Sequence, residues 1–164
     1  MKAIKQGTKI LIDSNIFIYW LAHQSSECGK LLRRCAEGEV EGYVSVLSLA
    51  EVAHRLMILE ARENGWIKGS NPVRSLQARP DRVQALIHCD ERVQDILRLR
   101  LYVEAFKHAD FTQAIVIRRQ YGLLTNDSIL LAVALRLGIK DIASADKVLQ
   151  RVPGYITHAP SDIM

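Results

Sequence analysis

The chain has 164 residues, the length of one ordinary domain, and 49% of them are hydrophobic. With 24% charged residues, no low-complexity tract and no repeat at a fixed period, the composition excludes disordered, fibrous and solenoid proteins. The net charge of +4 gives a mild attraction for polyanions, which permits nucleic-acid binding without establishing it.

Two short apolar runs near the start of the chain predict buried strands. Residues 9–12 (KILI) end abruptly at Asp13, as in a strand that leads into a polar loop or a helix cap. Residues 42–45 (GYVS) form the second run. Apolar residues at helical spacing predict helices around these strands, over residues 16–22, 26–35 and 46–61.

The middle of the chain has a different composition. Residues 64–82 contain two glycines, two prolines and four basic residues against one acid. We interpret them as a basic loop or small insertion within a single domain that spans residues 1–164. A further helix is predicted over residues 82–97.

The second half of the chain alternates strands and helices again. Strands are predicted over residues 99–106, 142–144 and 155–157, and helices over residues 111–121 and 125–138. Gly122 and Gly138 are the stop signals of the two helices. Short strands that alternate with helices predict an α/β fold with a short, mainly parallel sheet and helices on its faces.

Three acids interrupt apolar elements at their ends. Asp13 follows the first strand, Asp127 lies in the first turn of a helix, and Asp146 follows a late strand. Because the carboxyl ends of parallel strands meet at one edge of a sheet, we expect these acids to share a pocket. Glu51 lies among apolar residues inside its helix, where a carboxylate needs a partner such as a cation.

Oxygen-only side chains indicate a hard cation. Carboxylates, waters and substrate phosphate are the ligands of Mg²⁺ in proteins, and Mn²⁺ accepts the same set. A cation held in this way activates a water for attack on a phosphodiester and neutralises the charge on the leaving oxygen. The acids therefore predict a metal-dependent phosphodiesterase site.

Each acid also has a purely structural interpretation. Asp127 could stabilise its helix through the dipole, and Asp13 could cap the helix that follows it. Glu51 could face solvent or pair with Arg55 at i,i+4. The joint placement of the acids beside Asn15 and Ser144 favours a shared site over three separate structural roles.

Four blocks of the sequence resemble the PIN-domain nucleases, and among them the VapC-type toxins of toxin–antitoxin pairs. They are LIDSNIFIYWL at 11–21, LSLAEVAHRL at 47–56, YGLLTNDSILLAVALRLG at 121–138 and DIASADKVLQRVPGY at 141–155. The resemblance covers nearly the whole chain in order and is weak across residues 62–110. It implies a PIN-like three-layer α/β/α fold.

The resemblance also implies the chemistry of the site. Asp13, Glu51, Asp127 and Asp146 would form an acidic quartet around Mg²⁺ or Mn²⁺, with Asn15 and Ser144 as polar support. The substrate would be RNA, the partners an antitoxin that covers the acidic groove and a second copy of the chain in a homodimer. Candidates for RNA contact are the basic residues Lys68, Arg74, Arg79, Arg82, Arg118 and Arg119.

One alternative comes from a different class of function. A PIN-like domain without catalytic activity would bind RNA or a protein through the same fold, because a fold does not guarantee an activity. The presence of all four acids favours the enzyme.

The cysteines and the first residues indicate the compartment. Cys28, Cys35 and Cys89 are an odd number without paired CxxC spacing, which argues against a disulfide framework and a tetrahedral zinc site. The first ten residues carry three lysines and no apolar secretory segment, and the longest apolar stretch is too short to span a bilayer. We therefore expect a cytoplasmic protein without a membrane segment.

Overall fold

The computed structural model describes Met1, residues 4–67 and residues 71–163. Its strands are β1 (Lys9–Ile12), β2 (Glu41–Ser45), β3 (Tyr102–Glu104), β4 (Asp141–Ala143) and β5 (Ile156–His158). Its α-helices are α1 (Ser14–Leu21), α2 (Ser26–Ala36), α3 (Val46–Glu63), α4 (Pro72–Gln77), α5 (Pro80–Gln84), α6 (His88–Leu97), α7 (His108–Tyr121) and α8 (Thr125–Leu137). The strands pair in the order β3-β2-β1-β4-β5.

The central strand β1 separates two hydrophobic cores. Ile10 and Ile12 point into a first core with Phe17, whereas Leu11 between them points into a second core with Leu131. This alternation follows from the two-residue period of a strand, and it gives both faces of the sheet an apolar surface that helices cover. The predicted α/β/α architecture is confirmed, and every strand pair in the described residues is parallel.

The segment between α3 and α6 is more helical than the sequence suggests. Residues 64–82, expected as a loop or insertion, contain α4 and the first residues of α5. Asn71 accepts a hydrogen bond from the backbone N–H of Arg74, and Pro72 and Pro80 occupy the first positions of their helices, where a missing N–H is tolerated. The helix predicted over residues 82–97 is wrong in extent, because the chain is interrupted between α5 and α6.

A buried carboxylate on α3 explains that interruption. Glu60 is only 5% exposed and accepts hydrogen bonds from the backbone N–H groups of Ile87, His88 and Cys89, at 3.1, 3.2 and 2.6 Å. Glu60 therefore caps the start of α6 from another helix and fixes α6 against α3. Burial raises the pKa of Glu60, but the three N–H groups outweigh it and hold that pKa below its usual range.

Charged side chains also anchor helix α8, near its C-terminal end. The Arg136 guanidinium donates to Asp110 at 2.7 Å, to Glu104 at 3.2 Å and to the carbonyl oxygen of Ala105 at 3.0 Å. Asp110 is buried and also accepts from the N–H of Lys107 at the start of α7. These contacts join α8 to α7 and to the end of β3.

In the part of the chain that the structure describes, no helix is both long and apolar enough to cross a membrane.

Replacing Glu60 tests the cap. We expect Glu60→Gln to lower the free energy of unfolding by about 1–2 kcal/mol at pH 7, because the amide loses the charge that strengthens three hydrogen bonds. Since the folded pKa of Glu60 lies below the unfolded value of about 4.3, its contribution is complete above that pH and is lost as pH falls through the folded pKa. Urea unfolding between pH 3 and pH 7 measures both effects.

The matched control for this experiment is Glu63→Gln, which removes the same charge from an exposed position on the same helix. Its unfolding midpoint should change little. Equal midpoints for the two variants at pH 7 would mean that the Glu60 carboxylate does not stabilise α6.

Candidate active site

The order of the strands creates one location where ligand-binding groups can gather. From β1 the chain builds the sheet outward through β2 and β3, and it later returns to the other side of β1 with β4. Open parallel sheets bind ligands outside the carboxyl ends of their strands at such a reversal. Asp13 follows β1 and Ser144 follows β4 at this edge, while β2 leads directly into α3, which carries Glu51.

All four predicted acids line a single cavity at this edge. The cavity has a volume of about 620 Å³. It is lined by Asp13, Ser14, Asn15, Tyr19, Glu51, Arg55, Leu124, Thr125, Asn126, Asp127, Ala145 and Asp146. The acids come from four separate segments of the chain, so the fold alone brings them together.

Asp13 is held by a dense set of hydrogen bonds. One oxygen accepts from the N–H of Ser14 at 2.7 Å, and the other accepts from the amide of Asn15 and from the hydroxyl of Ser144 at 2.6 Å. Asp13 is also the N-cap of α1, as its structural interpretation predicted, and the same residue lines the cavity. Burial and the charge of Glu51 raise the pKa of Asp13, while the hydrogen bonds from Ser144 and Ser14 oppose them without cancelling the rise.

Ser144 connects Asp13 to Asp146. The Ser144 hydroxyl donates to Asp13 and accepts from the amide of Asn15 at 3.1 Å and from the N–H of Asp146 at 3.0 Å. Asn15 in turn accepts from the N–H of Ala145 at 3.1 Å. One Asp146 oxygen accepts from the N–H of Val148 at 2.8 Å. These bonds fix the loop after β4 against the start of α1.

Glu51 has a cation beside it, and that cation is Arg55. The guanidinium of Arg55 lies 2.7 Å from one carboxylate oxygen of Glu51, and the amide of Asn126 donates to the other oxygen at 3.2 Å. The i,i+4 pair that the sequence allows is therefore formed inside the cavity. The Glu51 side chain therefore forms the expected ion pair with Arg55 and also lines the cavity.

The pKa of Asp127 is raised well above the ordinary value for an aspartate. Asp127 lies in the first turn of α8 and is partly buried. Burial, as the largest cause, and the charges of Asp146, Asp13 and Glu51 together raise the pKa of Asp127 to about 6. Because all three other acids raise this pKa, the four carboxylates repel one another across the cavity.

The oxygen donors of this pocket are of the kind that bind a divalent cation, but the distances between the acids are too long for coordination as they stand. The donors are oxygens only, as Mg²⁺ and Mn²⁺ require, and a cation would relieve the repulsion that raises the pKa of Asp127. However, no three acids, histidines or cysteines of the described residues stand close enough to one another to hold an ion as they are placed. The carboxylates of Asp13 and Glu51 instead bind protein groups, so coordination requires some of these contacts to give way.

Some lining residues were not predicted as part of the site. Tyr19 lies one helical turn after Asn15 on α1, and Arg55 lies one turn after Glu51 on α3. The i,i+4 spacing is the sequence signal that places each pair on one face. Leu124, which is 77% exposed and precedes α8, gives no such signal.

The predicted RNA-contact residues that the structure describes lie outside the acidic cavity. Lys68 is outside the described residues, and none of the other candidates lines the acidic cavity. Arg79 pairs with Asp81 at 3.1 Å, and Arg82 donates to the carbonyl oxygen of Trp66 at 2.7 Å. Trp66 itself packs against the first core.

The remaining candidates, Arg74, Arg118 and Arg119, are exposed. Arg118 lines a smaller cavity of about 200 Å³ that shares Thr125 with the acidic one. RNA contact by these residues stays a prediction.

Comparison with known proteins identifies one family model, that of the PIN domain, which matches residues 10–155. No curated protein sequence matches the chain. Three similar solved structures are toxin–antitoxin proteins, and at 16–17% identity they show the fold alone.

The first of these structures is VapBC2 from Rickettsia felis bound to a promoter DNA fragment, with a TM-score of 0.60 and 16% identity over 94% of this chain and 100% of that one. A toxin–antitoxin complex from Klebsiella pneumoniae has a TM-score of 0.58 and 17% identity over 90% and 96%. VapC20 from Mycobacterium tuberculosis, described as a sarcin–ricin loop cleaving toxin, has a TM-score of 0.56 and 16% identity over 90% and 96%.

The raised pKa of Asp127 predicts that this residue destabilises the fold at neutral pH. Its folded pKa of about 6 lies above the unfolded value of about 3.9, so ionisation weakens the folded state progressively between pH 4 and pH 6. In EDTA at pH 7 we expect Asp127→Asn to raise the free energy of unfolding by about 1–2 kcal/mol, after allowance for partial solvation of the carboxylate. The gain should vanish below pH 4.

Urea unfolding at pH 4 and pH 7 measures this difference. The control is Asp95→Asn, which removes a charge from an exposed ion pair with Arg98 on α6 and should change stability little. A destabilised Asp127→Asn protein at pH 7 would contradict the repulsion inferred for the pocket.

Proposed function

The chain belongs to the PIN-domain family, and on that premise we propose that it is a Mg²⁺- or Mn²⁺-dependent endoribonuclease that acts as the toxin of a toxin–antitoxin pair. One observation carries the proposal. Four carboxylates from four segments of the chain line one cavity and repel one another there. Such an arrangement destabilises the folded protein when no cation is bound, and it provides a binding site for a cation.

The proposed ligands are the oxygens of Asp13, Glu51, Asp127 and Asp146. When bound, a divalent cation would polarise a water and a phosphate oxygen and offset the charge of the leaving group. The chain itself supplies the positioning. Hydrogen bonds from Ser144 and Asn15 fix the Asp13 carboxylate, and the Val148 N–H fixes that of Asp146. These bonds hold both carboxylates in the wall of the cavity, and metal coordination by Asp13 would displace part of its set.

The cavity suits a single strand of RNA or an exposed loop. Its lining includes Tyr19 and the exposed Leu124, which offer planar and apolar contact to an unstacked base. Arg55 inside the cavity offers a phosphate contact. That VapC20, a structural neighbour, is described as cleaving the sarcin–ricin loop agrees with a loop substrate.

The first prediction for this function is metal-dependent cleavage that needs Asp127. We expect the wild-type protein to cut structured RNA with Mg²⁺ or Mn²⁺ and not with EDTA. Asp127→Asn and Asp13→Asn should each lower the rate by more than about 100-fold, because even residues that only support metal ligands contribute about 10- to 100-fold. Gel analysis of labelled RNA measures the rates.

Asp95→Asn is the matched control, since it makes the same chemical change on an exposed surface away from the cavity. It should cleave at the wild-type rate. Cleavage that persists in EDTA, or that survives in both site variants, would contradict the assigned site.

The toxin role rests on the similarity to toxin–antitoxin structures and predicts a growth phenotype. Controlled expression of the wild-type chain should arrest bacterial growth, whereas Asp127→Asn at the same protein level should not. Culture density after induction, with protein level measured by immunoblot, is the test. Arrest by both proteins would separate toxicity from the acidic site, and growth with wild-type protein present would argue against a toxin.

A binding module without catalytic activity is the second candidate. It is favoured by the engagement of both Glu51 oxygens by Arg55 and Asn126, and by the absence of three suitably spaced ligands in the described residues. RNA that binds without being cut, with either metal present, would support this candidate.

A further inference from the structure

Arg55 occupies an unusual place for a basic residue in a cavity of acids. Its guanidinium lies 2.7 Å from a carboxylate oxygen of Glu51, one helical turn earlier on α3. The Arg55 side chain is 54% exposed, whereas that of Glu51 is 23% exposed, so the ion pair reaches from solvent into the pocket. Of the described residues that line the cavity, Arg55 alone is basic.

The ion pair uses an oxygen that the proposed function needs. The other Glu51 oxygen accepts from the amide of Asn126, so each oxygen of this carboxylate already has a protein partner. Asn126 is a neutral donor at 3.2 Å, whereas Arg55 is a full positive charge at 2.7 Å. A cation that binds Glu51 therefore meets its strongest competition from Arg55.

We propose that Arg55 is an internal counter-ion that competes with the divalent cation for Glu51 and, once displaced, binds a backbone phosphate of the RNA. This inference rests on the proposed function, because it needs Glu51 to be a metal ligand. A divalent cation on the Glu51 carboxylate would repel the nearby guanidinium and weaken its ion pair with Glu51, so metal binding would favour release of Arg55 from this contact. A half-exposed arginine can move without disturbing a core, and it stays within the cavity where substrate binds.

The inference predicts effects of opposite sign on metal and on substrate. Removal of the Arg55 charge should tighten Mn²⁺ binding, because one competitor is gone, and weaken RNA binding, because one phosphate contact is gone. A residue that only supported the fold would not strengthen one interaction and weaken the other.

Mn²⁺ titration followed by electron paramagnetic resonance tests the first effect without any cleavage. We expect Arg55→Gln to bind Mn²⁺ about 30-fold more tightly than wild type, the effect of one unit charge on a divalent cation about 4 Å away in water-like surroundings. Arg55→Lys retains the charge and the i,i+4 spacing and should stay close to wild type. Arg62→Gln removes a charge from an exposed position on the same helix and should leave Mn²⁺ affinity unchanged.

Steady-state cleavage at saturating Mn²⁺ tests the second effect. Arg55→Gln should raise KM for RNA about tenfold, and Arg55→Lys should restore most of the affinity, as expected for one charged phosphate contact. Thermal unfolding of each variant should match wild type closely enough to show that all are folded.

The outcomes separate the inference from the function on which it rests. Unchanged or weaker Mn²⁺ binding by Arg55→Gln, together with weaker binding by Glu51→Gln, would overturn the counter-ion role and leave Glu51 as a ligand. Equal tightening in Arg62→Gln would also overturn it, because the effect would then be one of overall charge. Unchanged binding by Glu51→Gln would remove Glu51 from the metal site, and the inference with it.

Discussion

The crowding of four carboxylates at the carboxyl ends of β1 and β4 is the constraint on which the rest of this structure depends. The reversal of strand order beside β1 brings Asp13, Glu51, Asp127 and Asp146 to one cavity, although they are far apart in sequence. Burial and the charges of the other three acids together raise the pKa of Asp127. A fold that keeps such a cluster must stabilise it from elsewhere, because each unpaired charge in a partly buried pocket weakens the folded state.

The stabilising contacts are made by the helices that carry the acids, outside the cavity itself. Glu60 fixes α6 against the helix that bears Glu51, and Arg136 joins the helix that bears Asp127 to α7. Both are buried charged contacts whose polar partners are satisfied, which is the condition under which burial of a charge is tolerated. Ser144 has the same effect at the site itself, where it connects the ends of two neighbouring strands through Asp13. These contacts hold in place the segments that bring the four acids to the cavity.

Local signals predicted the strands and the acids, and long-range contacts explain what was missed. The strand at residues 9–12 and the polar residue that ends it are visible in a few consecutive residues, and so are Gly122 and Gly138, the glycines at which α7 and α8 end. The break between α5 and α6 depends on Glu60, 27 residues earlier in the chain, and no local pattern announces it. Arg55 was visible as a helical neighbour of Glu51, but its place inside the cavity depends on how α3 packs.

We infer that the four carboxylates repel one another in the absence of a divalent cation and that a bound cation offsets this repulsion. A carbon-detected NMR titration of the Asp127 carboxyl group, once in EDTA and once in millimolar Mg²⁺, measures this directly. We expect a pKa of about 6 for Asp127 in EDTA and a clear decrease when Mg²⁺ is present. A pKa near the ordinary value of about 3.9 in EDTA, or one that Mg²⁺ does not change, would show that the carboxylates are not coupled through a cation in this way.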